Sequence, residues 1–205
     1  MATTCPAGFN VDKLRRLVRA EYDRLAREPD GTFHFHRGPQ YAARILRYDP
    51  QELANLPEES TACFAGLGNP HRIGPITAGE TVLDIGCGAG MDLLLAARRT
   101  GDMGHVIGID MTPAMIERAK AAALKAGIWK TVKVRRGIAE ELPVESETID
   151  VVVSNGVVNL SADKVRAFSE IFRVLRPGGR FYLADVVVQR ELSLEARNDV
   201  DLWAT

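Results

Sequence analysis

The stretch TVLDIGCGAGMDLLLAA (Thr81–Ala97), followed by IGIDMTP (Ile107–Pro113), decides how this chain folds. It predicts a short buried strand over Thr81–Ile85, a glycine-rich turn at Gly86, Gly88 and Gly90, and a helix from Met91. Glycines at such a joint let a ligand approach the backbone and accept torsions that a side chain forbids. A second strand, His105–Ile109, ends on Asp110, about twenty residues past the turn, where a carboxylate suits ribose hydroxyls. The pair marks a site for a nucleoside cofactor.

The order of the glycines says which one. A dinucleotide fingerprint runs Gly-x-Gly-x-x-Gly, its last glycine allowing close packing of helix on strand. Counted from Gly86 that place falls on Met91, and counted from Gly88 it falls on Leu93. The chain carries Asp84-x-Gly86-x-Gly88-x-Gly90 instead, with an acid just ahead of the turn. A carboxylate there repels a pyrophosphate but suits a cofactor with a cationic amino group and a sulfonium centre. S-adenosylmethionine has both.

A length of 205 residues leaves room for one domain with a sizeable core. An apolar content of 46% beside 26% charged residues is that of an ordinary globular protein. A net charge of −1 argues against general affinity for nucleic acid or an anionic membrane surface. No apolar run approaches a membrane span, and MATTCPAGFN lacks the order of a signal peptide. Cys5, Cys63 and Cys87 are odd in number and scattered, which indicates neither a disulfide framework nor a zinc ribbon. No metal site is expected, and the reading is of a cytoplasmic enzyme.

Apolar residues at Val11, Leu14, Leu17, Val18, Tyr22 and Leu25 predict a helix over 11–27, its basic face solvated. Further helices are expected over Gln40–Tyr48, from the cap Asp49-Pro50 to Asn55, and over Glu58–Ala65. Beyond Glu80 strands and helices alternate. Strands are expected near 81–85, 105–109, 131–135, 149–154 and 180–188. Helices are expected near 91–99, 113–126 (capped by Thr112) and 162–175. This alternation predicts an α/β fold, Rossmann-like and mostly parallel, with strand order 3-2-1-4-5 and helices on both faces. Residues 1–79 form an N-terminal helical extension, and 80–205 a core whose C-terminal strands are missing. The fifth strand would then be a long apolar edge, so either the chain is truncated or a homodimer partner or the N-terminal helices cover it. Truncation is the expectation.

With Asp84–Gly90, Asp110, Ala139–Pro143 and Arg173–Gly179 in view, residues 80–188 resemble a class I S-adenosylmethionine-dependent methyltransferase. Tyr48-Asp49-Pro50, Leu56–Ser60, Gly68-Asn69-Pro70, Asp110–Pro113 and Ser154–Leu160 are together similar to the arsenite methyltransferase branch. That branch holds As(III) on cysteine thiolates, soft ligands for a soft centre. One of its cysteines directly precedes the Gly-Asn-Pro turn, where this chain has Leu67. A second follows Ser-Asn after the fourth strand, where this chain has Gly156, and a third falls past Thr205.

The resemblance implies that Gly86, Cys87, Gly88 and Gly90 pass along the methionine and ribose of S-adenosylmethionine, with Asp84 near its amino group. Asp110 would accept the ribose hydroxyls. Met111 packs on the adenine or simply in the core. Ile138, Ala139 and Glu140 follow the third strand, where the family reads the adenine edge; Glu140 is equally readable as a helix-capping carboxylate. Ser154 and Asn155 face the point where the methyl group emerges. Asn155, Asn159 and Asn69 are the candidates for orienting a small-molecule acceptor, although asparagines also serve turns. The leading expectation is methyl transfer. A binding or regulatory protein without turnover is the alternative, and an NAD-dependent oxidoreductase a lesser one.

Overall fold

The computed structural model describes residues 5–6, 8–190 and 192–203. Five parallel strands form one sheet in the order β3-β2-β1-β4-β5, as the alternation predicts. They are β1 (Thr81–Ile85), β2 (His105–Asp110), β3 (Val132–Arg136), β4 (Ile149–Asn155) and β5 (Leu175–Ala184). The connecting helices are α5 (Met91–Thr100), α6 (Pro113–Lys125) and α7 (Lys164–Val174). Before them come α1 (Val11–Arg27), α2 (Gly38–Arg44), α3 (Pro50–Ala54), α4 (Glu58–Thr61) and a 3-10 turn at Pro70–Arg72. Two short helices, α8 (Leu194–Asn198) and α9 (Val200–Trp203), follow β5.

β1 is central and buried on both faces, so Val82, Leu83 and Ile85 are all sealed from solvent, with the buried Asp84 between them. Leu93, Leu94 and Leu95 of α5 are sealed from solvent, and each contributes roughly 1.5–3 kcal/mol of transfer free energy. After β1 the chain moves outward to β2, and later it returns on the other side as β4. Strand order therefore reverses between β1 and β4, and the crevice at their carboxyl ends is where such sheets bind ligands.

The N-terminal segments are built onto this core by local signals. Asn10 accepts the Lys13 N–H at 2.8 Å and starts α1. Asp49 does the same for Gln51 at 2.8 Å and starts α3. The basic face of α1 is not simply solvated. Arg15 reaches Glu140 at 3.6 Å, Lys13 reaches Asp201 at 3.0 Å, and Arg24 and Arg27 pair with Glu21 and Asp23. Phe9, just ahead of α1, and Lys164 of α7 pack on the Trp203 ring, and Val200 and Trp203 share an apolar cluster with Leu14 and Val18, so α9 lies against α1.

Several boundaries move. α2 stops at Arg44 rather than running to Tyr48, because Arg47 adopts a left-handed φ of 60° that swings Tyr48 into the interior. The helix expected over Glu58–Ala65 ends at Thr61, where the chain straightens so that the Phe64 carbonyl accepts the Gly38 N–H at 2.8 Å. Thr112 occupies the cap position of α6, but its hydroxyl makes no capping bond there.

The last strand also differs. Its last pairing with β4 is Asn155↔Ala184, and it ends there rather than at Val188. Asp185 instead turns back to accept the backbone N–H of Asn159 at 3.1 Å and of Val186 at 2.7 Å, leaving Val186–Val188 off the sheet. One face of this edge strand is covered. Tyr182 is buried, and its hydroxyl donates to the Pro75 carbonyl at 2.9 Å.

Candidate active site

A cavity of about 1100 Å³, its open mouth included, lies over the carboxyl ends of β1, β2 and β4. The turn Ile85–Ala89 forms its floor, and Asp110–Thr112 and Gly137–Glu140 one side. Asn155–Val157 and Ala65–Gly66 form the other, while Arg15, Val18 and Tyr22 of α1 approach from above. The floor is tied down by backbone. The Gly86 and Cys87 N–H groups both donate to the Ile109 carbonyl, at 2.7 and 3.0 Å. The Gly88 N–H donates to Asp110 Oδ2 at 2.9 Å, and Asp110 Oδ1 accepts the Thr112 N–H at 2.8 Å. Asp110 therefore holds the turn against the end of β2 while still presenting lone pairs to the cavity.

Three aspartates meet this space, Asp84, Asp92 and Asp110, with Glu140 on its side wall. Asp84 is 2% exposed, and its Oδ2 has no hydrogen-bond partner among the described residues. Burial pushes its pKa well above the ordinary value, and the charges of Asp92 and Asp110 push the same way. Burial raises Asp110 as well, against backbone hydrogen bonds that favour its anion. An orphan carboxylate oxygen at the end of a cavity, with like charges beside it, is a place built for a cation. A group carrying an ammonium or sulfonium fits it, and a pyrophosphate does not.

A prediction follows from the sign of these shifts. A carboxyl raised in the folded state stabilises the ligand-free protein most below its unfolded pKa, and that contribution fades as pH rises through the folded value. A cation that neutralises the ionised groups binds better over the same interval. The rise in melting temperature caused by S-adenosylmethionine should therefore grow as pH rises from the ordinary aspartate range toward neutrality. A constant or shrinking rise across that range would sink this account of Asp84 and Asp110.

Asp92, which sequence reasoning passed over, is the centre of a buried cluster. Its Oδ1 accepts the Tyr48 hydroxyl at 2.7 Å and faces His71 Nε2 at 3.1 Å, while Oδ2 accepts Asn155 Nδ2 at 3.0 Å. Asn155 Nδ2 also lies 2.9 Å from the Gly68 carbonyl and 3.2 Å from the Tyr48 hydroxyl. Asn155 Oδ1 accepts from the Leu67 and Gly68 N–H groups, at 2.7 and 3.1 Å. The amide is thus directed into protein, where it clamps the 67–68 backbone to the end of β4. One signal for Asp92 was present in the sequence: a lone acid in an otherwise apolar helix start, MDLLLAA.

The other expected residues divide. Gly86, Cys87, Gly88, Met111, Ile138, Ala139 and Glu140 line the cavity. Gly90, Ser154, Asn159 and Asn69 do not. Gly90 is the cap residue of α5, and Ser154 is wholly buried in β4. Asn69 caps the 3-10 turn through the His71 N–H and donates to the Arg47 carbonyl at 3.2 Å. The Asn159 side chain, with its amide turned to donate, reaches Asp185 Oδ1 at 2.8 Å and the Gly156 carbonyl at 3.2 Å. Glu140 accepts the Ala162 N–H at 3.0 Å just ahead of α7, whose cap proper is Asp163, and also meets Arg15.

Burial raises the thiols of Cys87 and Cys63, which makes them fillers of this wall rather than ready nucleophiles. Tyr22, close to Asp110, is pushed up to about 12 by burial and keeps its hydroxyl proton as a donor.

A family model described as a methyltransferase domain matches residues 76–204. The chain belongs to the class I S-adenosylmethionine-dependent methyltransferases. Within them this chain is similar to the arsenite branch. The arsenite methyltransferase of Halobacterium salinarum is 43% identical over 156 residues, which cover 76% of this chain and 39% of that protein. The human arsenite methyltransferase is 38% identical over 172 residues, 79% of this chain and 45% of that one. The crystal structure of an arsenic(III) S-adenosylmethionine methyltransferase from Chlamydomonas reinhardtii superposes with a TM-score of 0.66 at 39% identity. The match covers 74% of this chain and 53% of that one. The chain thus spans about half, or less, of the length of these relatives.

Proposed function

We propose that this chain binds S-adenosylmethionine in the cavity above β1, β2 and β4 and transfers its methyl group to a small-molecule acceptor. The observation that carries the reading is the glycine-floored cavity faced by Asp84, Asp92 and Asp110. The bound cofactor supplies an activated methyl on a sulfonium. Asp84 faces its cationic end, Asp110 accepts from the ribose hydroxyls, and Met111, Ile138 and Ala139 take the adenine. Glu140, already engaged by Ala162 and Arg15, supports the wall behind it. Transfer to a soft nucleophile requires alignment more than a general base, so the chain's part is to hold donor and acceptor in line and exclude water.

Titration calorimetry tests the first half: S-adenosylmethionine and S-adenosylhomocysteine should bind saturably and NAD should not. Release of S-adenosylhomocysteine over a panel of As(III)–thiol complexes, thiols and metabolites tests the second. Binding without turnover on any acceptor would favour the non-catalytic alternative.

One observation bears on that alternative. Leu67 and Gly156, the positions where the resemblance places cysteines, meet in space. A Cβ added at Gly156 would lie 3.1 Å from Leu67 Cγ. This juncture carries no thiol, so As(III) finds no paired thiolates there. The double variant Leu67→Cys/Gly156→Cys is expected to bind As(III) about 100-fold more tightly than the parent in a titration under a phosphine reductant. A cysteine at the Gly156 φ of +73° would cost about 1–2 kcal/mol, visible as a lower melting temperature. Unchanged As(III) affinity in a folded double variant would mean that the two positions do not converge.

The same reading divides the chain into an extension, residues 1–79, and a cofactor-binding core, 80–205, and places it in the cytoplasm. No helix among the described residues is long and apolar enough to cross a membrane. A homodimer through β5 is part of the proposal too, supported by the edge of that strand, which pairs with no other strand among the described residues, and by the neighbouring Phe172 on α7, 83% exposed.

A further inference from the structure

The buried cluster around Asp92 joins two places that have no other reason to move together. Its acceptor stands in the first turn of α5, two residues after Gly90, and lines the cofactor cavity. Its donors come from three separate parts of the chain: Tyr48 ahead of α3, His71 in the 3-10 turn, and Asn155 at the end of β4. Asn155 then grips the Leu67–Gly68 backbone with both ends of its amide. The Tyr48 hydroxyl is 3.1 Å from the same Gly68 carbonyl. Leu67 itself stays 42% exposed, so this segment owes its place to these polar contacts more than to burial of its own side chain.

The cluster is mostly buried, with Asn155 partly open to the cavity. Tyr48 is 2% exposed, Asp92 6%, and the His71 side chain 2%, with His71 Nδ1 buried and without a partner among the described residues. Hydrogen bonds in such a setting are expensive to break singly, because each released group is stranded away from water. The four side chains therefore hold one arrangement or give it up together.

We propose that Asp92 is a positioning residue that couples occupancy of the cofactor site to the order of the Gly66–Gly68 segment on the acceptor side. The inference rests on the functional reading above. A cationic ligand in the cavity and the Asn155 clamp share one carboxylate. Fixing its orientation once serves both, so the cost of ordering the segment is met when the cofactor binds rather than when the acceptor arrives. The chain thereby holds its acceptor side more firmly once the donor is loaded.

The backbone N–H groups of Leu67 and Gly68 report on the clamp directly, since both donate to Asn155 Oδ1. Hydrogen exchange read by mass spectrometry should show these amides slowing by about tenfold when S-adenosylmethionine saturates the full chain. In Asp92→Asn, saturated with S-adenosylmethionine at its own raised concentration, the slowing should disappear. Tyr48→Phe removes one donor but keeps the ring packed on Phe64, and should lose part of it. Tyr48→Phe also carries the test if Asp92→Asn does not fold. Equal slowing in the parent and in both variants would overturn the coupling, as would binding to the parent with no slowing at all. If the parent does not bind S-adenosylmethionine, the calorimetric trace shows it first, and the functional reading falls together with this inference.

Discussion

Gly86→Ala is expected to melt about 5–15 °C below the parent and to lose S-adenosylmethionine binding. Gly86 ends β1 with φ +67°, a conformation that costs an L-residue about 1–2 kcal/mol. Its added Cβ would also run into the Val157 side chain, with Cγ1 only 2.9 Å away. Val157 is short and branched, so relief requires moving the backbone after β4, at a typical overpacking cost of about 1–3 kcal/mol. The two terms reinforce each other at the joint that floors the cavity. Differential scanning fluorimetry and calorimetry check both readouts. A variant that melts within two degrees of the parent and binds normally would show that this turn is not the floor of the site.

Asp110→Ala is expected to weaken S-adenosylmethionine binding by about 100-fold or more. A hydrogen bond to a charged group is worth roughly 1.5–3 kcal/mol, and the ribose offers two hydroxyls. The variant also releases the Gly88 and Thr112 N–H groups that the carboxylate holds at 2.9 and 2.8 Å, so the turn loses its tie to β2. S-adenosylhomocysteine has the same ribose, so its affinity should fall by the same factor. Titration of both ligands separates the possibilities. A loss confined to S-adenosylmethionine would assign Asp110 to the sulfonium rather than to the ribose.

Both predictions concern residues that stand out in the chain as written, and the reason is local. The run Val82–Ile85, the glycines after it and the acid at Asp110 act on their immediate neighbours, so their spacing already specifies strand, turn and strand end. The same holds for Asn10 and Asp49, whose side chains cap helices two or three residues away. The right number of parallel strands and their order follow from the alternation beyond Glu80, because a crossover helix between strands admits few arrangements.

Where several interactions of long range compete, the local signals give way. The periodicity that predicts a helix to Tyr48 gives way after Arg44, and the left-handed Arg47 turns Tyr48 inward to Asp92, 44 residues away. The apolar run Phe181–Val188 reads as one strand, yet it separates from the sheet where Asp185 finds the Asn159 N–H. Arg15 belongs to a basic stripe of ordinary appearance until Glu140 comes to face it.

The strands, the glycine turn after β1 and the acids beside it are legible in the chain as written, since each depends on residues a few positions apart. The role of Asn155, the importance of Asp92 and the meeting of Leu67 with Gly156 emerge with the folded chain alone. A buried polar group must find its partners wherever the folded chain returns, and for Asn155 they stand 63, 87 and 107 residues away.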